Sequence, residues 1–251
     1  MLESLLAKKA RLDALRPLSR EALARLEAWY DVELTFTSNA IEGNTLTRQE
    51  TALVVEKGFT VRGKPLKDHQ EAVDHVAALM WVRAVVQESR PIGEEDVCQI
   101  HRLVVAGTLK GEAGLYNQHQ RRIAGSMVVL PAAHKLPGLM KEFGAWLSGV
   151  AASPESAIEA HRRLVSIHPF TDGNGRTARL LMNLLLMRAG YPPLVVRPED
   201  RIEYVEAIEK SQLTNDAGEY VAFMLGRLEA SLDDYLGFLT AGGESEREIK
   251  P

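Results

Sequence analysis

A segment of twelve residues, His168–Arg179, combines residue types that together could bind and transfer a phosphate group. It reads HPFTDGNGRTAR and lies between two stretches with helical periodicity. Gly173, Asn174 and Gly175 tolerate left-handed backbone conformations, so their N–H groups can point into one concavity that binds an anion. The N-terminus of the following helix adds free N–H groups and the positive end of a dipole. The pattern therefore predicts a phosphate-binding loop.

The charged and titratable side chains of this segment suit the same chemistry. Arg176 and Arg179 lie three residues apart on the first turn of the predicted helix, so both guanidinium groups can reach a polyphosphate. Asp172 supplies the oxygen ligand that a phosphate-bound Mg²⁺ requires. His168 can accept a proton near neutral pH. The segment is not a Walker A loop, because no Gly-Lys-Ser/Thr follows the glycines; a plain helix–loop–helix turn is the alternative interpretation.

The elements that position this segment are predicted to be helices, because apolar residues recur at spacings of three and four. Thr47 with Glu50 is a capping-box signature, and Ser153-Pro154 is typical of a helix start. The helices are expected at 3–15, 19–42, 48–57, 68–88, 94–106, 138–150, 155–167, 175–188, 200–212 and 217–238.

One segment, Gln120–Pro131, breaks the helical pattern. Apolar residues on both sides of Gly125-Ser126 predict a short β-hairpin there. No repeat or interdomain linker interrupts the chain, so we expect one all-α domain over residues 1–240 with this single hairpin. The polar end of the chain, residues 241–251, is expected to be frayed.

Composition and charge exclude several classes of protein. The 251 residues are 45% hydrophobic and 25% charged, which are ordinary values for a globular domain. A net charge of −4 argues against a general binder of nucleic acid or of membrane surfaces. Cys98 is the single cysteine, which excludes an intrachain disulfide and zinc sites with several cysteines. No apolar run is long enough to span a membrane, and residues 1–12 do not resemble a signal peptide, so a cytoplasmic location is expected.

These residues carry a resemblance to the Fic family. His168–Arg179 matches the Fic signature H-P-F-x-D/E-G-N-G-R-x-x-R at every specified position, and the likeness extends over roughly residues 30–238. Within the family, the chain is most similar to the animal Fic enzymes of the endoplasmic reticulum that modify a chaperone. The resemblance implies a Fic-fold helical bundle in which the hairpin forms a flap over the active site.

Fic enzymes typically transfer AMP from ATP to a hydroxyl group of a target protein. The resemblance implies that His168 deprotonates a Ser, Thr or Tyr hydroxyl and that Asp172 holds the Mg²⁺ bound to the phosphates. It implies that Gly173–Gly175 contact the phosphates, that Arg176 helps to hold them, and that Arg179 binds the terminal phosphate. The expected enzyme is thus an Mg²⁺-dependent protein AMP-transferase.

A second segment, Ser38–Asn44 (SNAIEGN), matches the Fic inhibitory motif S/T-x-x-x-E-G/N and ends a predicted inhibitory helix at about 30–44. Ser38 and Glu42 are four residues apart and share a helix face. The resemblance implies that Glu42 pairs with Arg179, so that ATP binds only in an unproductive pose. A plain helix end is the alternative interpretation. In related enzymes the same glutamate also assists removal of AMP by positioning a water molecule.

Two further assignments follow from the resemblance. Tyr204 matches a family tyrosine near the adenine, although a core tyrosine is the alternative. The hairpin matches the family flap, where an unidentified target protein is expected to dock near residues 125–129; an ordinary surface hairpin is the alternative. The flap residues expected to contact the nucleotide are Gly125, Ser126, Met127 and Val128. His161, seven residues before His168, is expected to be a core or surface histidine rather than a metal ligand.

Several alternative functions stay open. Some relatives phosphorylate a translation factor, but they have lysine at the position of Gly175; another relative transfers phosphocholine with a similar signature. An inactive regulatory module is disfavoured by the intact signature, and a toxin with a separate inhibitor by the internal Glu42. We therefore expect an autoinhibited AMP-transferase with ATP and a protein as partners, without nucleic-acid or membrane partners, and as a homodimer.

Overall fold

The computed structural model describes the backbone of residues 2–247 and the side chains of residues 3–240. Every predicted helix is present, and all but the last begin and end within two residues of their predicted bounds. Short 3₁₀ turns at 133–135 and 198–200 precede the sixth and ninth helices. The α-helices are α1 (Leu2–Ala14), α2 (Arg20–Ile41), α3 (Arg48–Lys57), α4 (Leu66–Val86), α5 (Glu94–Val104), α6 (Leu136–Gly149), α7 (Pro154–Ile167), α8 (Asn174–Arg188), α9 (Arg201–Thr214) and α10 (Gly218–Arg247).

The starts of α3 and α7 are fixed by the capping residues that the sequence predicts. Thr47 Oγ1 accepts the N–H of Glu50 at 3.2 Å, and the Glu50 carboxylate accepts the N–H of Thr47 at 2.8 Å. Ser153 Oγ accepts the N–H of Ser156 at 3.1 Å, with Pro154 at the first position of α7. The cap on α7 therefore fixes the helix that leads into the signature segment.

The central element of the fold is α8, which packs against α7, α4 and α5. Of its 15 residues, 12 are buried, so this helix has almost no solvent face. One hydrophobic core extends from Leu5 in α1 to Leu236 in α10 and surrounds α8. The two signature arginines, Arg176 and Arg179, lie on this helix and are themselves buried. Their guanidinium charges therefore need hydrogen-bond or ion-pair partners inside the protein.

The segment predicted as a β-hairpin, Gln120–Pro131, forms a turn without strands, so that prediction is wrong. The N–H of Ser126 donates to the carbonyl of Ile123 at 3.2 Å and closes the turn, but no other backbone hydrogen bond joins the two arms in the described chain. The side chain of Gln120 bridges them instead, because its Nε2 donates to the carbonyl of Leu130 at 3.1 Å. The prediction of an all-helical fold is confirmed.

The last helix is longer than its predicted bounds. It continues to Arg247 rather than ending at 238, so the segment expected to be frayed is helical as far as 247. Residues 248–251 of that segment lie outside the described residues. In the part of the chain that the structure describes, no helix has both the length and the apolar character needed to cross a membrane.

Candidate active site

The signature segment begins at His168, where α7 ends. This residue is the C-cap of α7 and adopts a left-handed conformation, with φ at +51°, which histidine tolerates better than most residues. Its N–H still donates to the carbonyl of Leu164 at 2.9 Å, so the helix closes normally before the chain turns away. The imidazole is half-buried and belongs to the loop between α7 and α8.

The pKa of His168 lies below the usual value of 6.5. Burial is the main cause, because removal from water disfavours the charged imidazolium. A hydrogen bond with the backbone of Val165 and the nearby carboxylates of Glu42 and Asp172 act in the opposite direction. The imidazole is therefore neutral at physiological pH and able to accept a proton.

The side chain of Asn174 fixes the shape of the loop. Its Oδ1 accepts the N–H of Phe170 at 2.9 Å, and its Nδ2 donates to the carbonyl of Phe170 at 2.8 Å. Only 3% of Asn174 is exposed, and both functional groups of the amide are engaged. A phosphate contact of Asn174 would therefore use its backbone N–H.

The two glycines of the loop are needed for different reasons. Gly173 has φ at +76°, and a Cβ there would lie 2.8 Å from Val105 Cγ1. A Cβ at Gly175 would overlap the Oε1 atom of Glu42. No side chain in the described residues caps α8, so the first N–H groups of this helix are suited to an anion. The carboxylate of Glu42 lies directly against this helix start.

The carboxylate of Asp172 lies beside the same helix start. Its Oδ1 accepts the N–H of Gly173 at 2.6 Å, and its Oδ2 lies 3.5 Å from Arg176 Nη2. The side chain is 47% exposed, which suits one protein ligand of a Mg²⁺ ion that keeps water and phosphate oxygens as its other ligands. The described residues contain no group of three or more His, Cys, Asp or Glu placed to hold a metal ion, so phosphate oxygens would have to complete the site.

Arg176 lies beneath the loop, with only 1% of its side chain exposed. Its Nη1 is 3.2 Å from Glu71 Oε1 in α4, and its Nη2 faces Asp172. Glu71 also accepts from Asn44 Nδ2 at 2.9 Å, so one carboxylate contacts both the signature helix and the inhibitory segment. This arrangement neutralises a buried guanidinium and orients Asp172; a phosphate contact of Arg176 stays a prediction.

His101 in α5 supports the loop, although no sequence motif marks it. Its Nδ1 accepts the N–H of Gly114 at 2.9 Å, so Nε2 carries the proton and donates to the carbonyl of Asp172 at 3.0 Å. The ring stacks on Phe170 with 3.7 Å between centroids. Burial lowers the pKa of His101 to about 4, so the ring stays neutral and keeps its proton on Nε2.

The structure brings together Ser38, Glu42 and Arg179. Arg179 Nη2 donates to Glu42 Oε1 at 2.7 Å and to the carbonyl of Ser38 at 2.9 Å, while Nε donates to Ser38 Oγ at 2.9 Å. The side chain of Arg179 is 7% exposed and that of Glu42 is 35% exposed. Since Ser38 and Glu42 share one face at the end of α2, a single guanidinium reaches both.

Tyr204 also contacts Arg179, from α9. Its hydroxyl accepts from Arg179 Nη1 at 3.4 Å and lies 2.6 Å from Nε2 of His161. Tyr204 is 2% exposed, and burial raises the pKa of its hydroxyl. The hydroxyl is thus directed at an arginine and a core histidine, and an adenine contact of Tyr204 stays a prediction.

The tip of the flap is held by Glu209 of α9. Its Oε1 accepts from Ser126 Oγ and from the N–H of Met127, both at 2.8 Å. Ser126 Oγ also accepts the N–H of Val128 at 3.1 Å, and Gly125 turns the chain with φ at +78°. Sequence reasoning missed Glu209, because the two segments lie far apart in the chain and no motif links them.

Comparisons with proteins of known name place this arrangement in a family. Residues 91–186 match the Fic/DOC family. The chain is 39% identical over 222 residues to "Protein adenylyltransferase Fic" of Nematostella vectensis and 34% identical over 239 residues to that of Drosophila melanogaster. These alignments cover 85% and 94% of this chain but 51% and 48% of the relatives. The chain therefore spans about half the length of the curated relatives it matches.

Solved structures show the same fold. Fic-1 of C. elegans (residues 134–508) superposes with a TM-score of 0.85 at 31% identity, over 96% of this chain and 73% of that one. A Fic domain containing signaling protein from Bacteroides thetaiotaomicron gives a TM-score of 0.88 at 26% identity, over 95% and 97% of the two chains. With the signature loop in place and this likeness over nearly its whole length, the chain belongs to the Fic/DOC family.

Proposed function

We propose that this protein transfers AMP from ATP to a hydroxyl side chain of a target protein and that Glu42 inhibits the transfer. The observation that carries the proposal is the signature loop itself. It combines a neutral His168, the half-exposed carboxylate of Asp172 and the uncapped start of α8. The names of the relatives, which are protein adenylyltransferases, support the same reaction.

In the proposed reaction, the imidazole of His168 accepts the proton of the attacking hydroxyl. The hydroxyl oxygen forms a bond to the α-phosphorus of ATP, the bond from that phosphorus to the bridging oxygen breaks, and pyrophosphate leaves. Such a transfer depends on positioning and on neutralisation of charge rather than on a covalent intermediate. Asp172 would hold a Mg²⁺ ion, which supplies neutralisation of the phosphate charge when bound.

The phosphates are assigned to the start of α8. Backbone N–H groups of Gly173–Gly175 and the helix dipole favour the anion there, and Arg179 binds the terminal phosphate. Arg176 contributes from below by orienting Asp172 and by its positive charge. Tyr204 and the flap residues 125–128 stay the proposed adenine and nucleotide contacts.

Inhibition is expected because the Glu42 carboxylate binds the guanidinium that is assigned to the terminal phosphate of ATP. The carboxylate lies 2.7 Å from Arg179 and against Gly175, in the space beside the helix start. The negative charge of Glu42 would also repel the phosphates at this short range. Glu42 would therefore have to move before ATP takes up a productive pose.

The same carboxylate supports the proposed removal of AMP. Only Oε1 of Glu42 is bound by Arg179, and Oε2 has no hydrogen-bond partner within the described residues. Oε2 is therefore the atom that we assign to positioning a water molecule for attack on the AMP bond.

A target segment is proposed to dock at the flap near 125–129, where Met127 is 79% exposed. The homodimer also stays a prediction, which sedimentation at several protein concentrations would check.

Labelled ATP added to cell lysate tests the proposal. The parent protein, Glu42→Gly and Glu42→Gly/His168→Ala are each incubated with ATP labelled at the α- or at the γ-phosphate. Label is counted above that of lysate without the added protein, because kinases of the lysate transfer the γ-phosphate themselves. AMP transfer predicts this additional label only from the α-position, strongest with Glu42→Gly and lost when His168 is also replaced. Label only from the γ-position would indicate phosphate transfer and would contradict the proposal.

A further inference from the structure

Three buried side chains continue from Arg179 into the protein interior, and together they are called the Arg179 relay: Tyr204, His161 and Tyr220. The Tyr204 hydroxyl lies 3.4 Å from Arg179 Nη1 and 2.6 Å from His161 Nε2. On the other side of the ring, His161 Nδ1 is 2.7 Å from the Tyr220 hydroxyl, which is 3.2 Å from the carbonyl of Ile158. The three relay residues are 2%, 0% and 1% exposed, so they exchange no hydrogen bonds with bulk water.

The two ends of the relay determine where its protons lie. A guanidinium only donates, so the oxygen of Tyr204 accepts from Arg179. A carbonyl only accepts, so Tyr220 gives its hydroxyl proton to Ile158. His161 then donates from Nδ1 to the Tyr220 oxygen and accepts at Nε2 from the Tyr204 hydroxyl. One neutral tautomer thus satisfies every donor in the relay.

The opposite neutral tautomer of His161 would leave one buried hydrogen-bond donor without an acceptor. With the proton on Nε2, the ring would donate to the Tyr204 oxygen, and the Tyr204 hydroxyl proton would be left facing the cation of Arg179. A buried donor without an acceptor is costly, so the first tautomer is favoured. Burial and the charge of Arg179 also lower the pKa of His161 to about 3, which keeps the ring neutral at any working pH.

The relay contacts the one guanidinium nitrogen of Arg179 that the inhibitory segment does not use. Nε and Nη2 bind Ser38 and Glu42, whereas Nη1 binds Tyr204. When Glu42 moves away, a long and flexible side chain loses a charged partner and gains rotamer freedom. The contact with Tyr204 does not involve Glu42, so the departure of Glu42 does not by itself break it.

We propose that the Arg179 relay holds the guanidinium in place for the terminal phosphate of ATP after Glu42 has moved away. Tyr204, His161 and Tyr220 are therefore positioning residues that determine the preference for ATP over ADP. The inference rests on the proposed function, because that function assigns the terminal phosphate to Arg179.

Binding of ATP and ADP tests the relay, because ADP lacks the phosphate assigned to Arg179. The measurements use a Glu42→Gly/His168→Ala background, which removes the inhibitory carboxylate and prevents turnover. Adding Tyr204→Phe is expected to weaken ATP binding about tenfold, as for loss of one hydrogen bond to a charged group. Adding Tyr220→Phe is expected to weaken it about threefold, as for a neutral bond. ADP binding should change by less than about twofold in both, because phenylalanine keeps the ring of Tyr204 that is assigned to the adenine and only hydroxyl contacts with Arg179 and His161 are removed.

Two reference variants make the result specific. Tyr116→Phe removes a hydroxyl that binds Glu94 at 2.6 Å, outside the relay, and should leave the ATP/ADP ratio unchanged. Arg179→Ala should abolish the preference for ATP. An unchanged ratio in Tyr204→Phe would overturn the relay. An unchanged ratio in Arg179→Ala would overturn both the relay and the terminal-phosphate assignment, while AMP transfer itself would still be judged by α-labelled ATP.

The tautomer of His161 gives a second test of the relay, one that does not depend on measuring the affinity for ATP or ADP. Nitrogen-15 NMR of ring-labelled histidine should show His161 protonated at Nδ1 in the Glu42→Gly protein. Tyr220→Phe removes the acceptor of that proton and should shift the ring toward the Nε2 tautomer. A parent ring protonated at Nε2 would contradict the relay.

Discussion

Glu42 Oε1 lies 2.7 Å from Arg179 Nη2, although 137 residues separate the two in the chain. The same guanidinium binds the Ser38 carbonyl and the Tyr204 hydroxyl, so Arg179 is fixed by three separate groups. Of these three, only Glu42 carries a negative charge that competes with a phosphate. We therefore propose that inhibition by Glu42 and binding of the terminal phosphate of ATP both depend on the side chain of Arg179.

Removal of Glu42 should activate the enzyme. A hydrogen bond to a charged group contributes about 1.5–3 kcal/mol, so Glu42→Gly is expected to raise AMP transfer by about 10- to 150-fold. Initial rates of protein labelling with ATP and Mg²⁺ measure this directly. Glu56→Gln, on an exposed face of α3, is the matched control and should behave as the parent. Equal rates in the parent and in Glu42→Gly would remove the inhibitory role of Glu42.

The effects of Glu42 and Arg179 should be strongly non-additive. Adding Arg179→Ala to Glu42→Gly should cancel the gain, because the group that Glu42 restrains is then absent. A double-mutant cycle on transfer rates gives the coupling free energy between the two residues. Additive effects would show that Glu42 acts through some other contact.

Replacement of His168 should abolish transfer and leave ATP binding intact. The imidazole is proposed to act on the hydroxyl proton and not on the phosphates, so loss of a general base is expected to cost about 10²–10⁴-fold in rate. His168→Asn is a useful companion to His168→Ala, because asparagine also tolerates the left-handed backbone at this position. Activity within about tenfold of the parent, at unchanged affinity for ATP, would exclude His168 as the base.

The pH dependence should reflect the lowered pKa of His168. Only the neutral imidazole accepts a proton, so transfer by Glu42→Gly should fall as the pH drops through this pKa and be constant above it. Because burial lowers the pKa from 6.5, the midpoint of the acidic limb of kcat/KM is expected below pH 6.5. A midpoint at pH 7 or above would contradict a buried, neutral base.

Replacement of Asp172 should remove the dependence on Mg²⁺. Asp172 is the one carboxylate that we assign to the ion, so Asp172→Ala should transfer AMP slowly at every Mg²⁺ concentration. Titration of Mg²⁺ at fixed ATP measures the effect. A normal Mg²⁺ dependence in the variant would mean that another group holds the ion.

Much of this arrangement could be predicted from local sequence patterns. The capping box at Thr47 and Glu50 fixed the start of α3, and the spacing of Ser38 and Glu42 placed both on one face of α2. Such features depend on neighbours within a few residues. The flap was different: apolar residues on both sides of Gly125-Ser126 indicated strands, but no backbone ladder joins its arms in the described chain, and Gln120 bridges them instead.

The supporting contacts of the site could not be predicted. His101 reaches the carbonyl of Asp172 from α5, and Glu209 reaches the flap from α9. Both contacts depend on how distant helices pack, and neither residue lies in a motif. The burial of Arg176 against Glu71 likewise follows from the central place of α8 in the core rather than from the signature.

Intact-mass analysis tests the central claim most directly. Purified Glu42→Gly protein, incubated with ATP and Mg²⁺, should gain the mass of one or more AMP groups on itself or on an added target, and tandem spectra should place them on Ser, Thr or Tyr hydroxyls. The same protein with His168→Ala should gain none. A gain of phosphate instead of AMP, or an AMP adduct that persists without His168, would contradict the account.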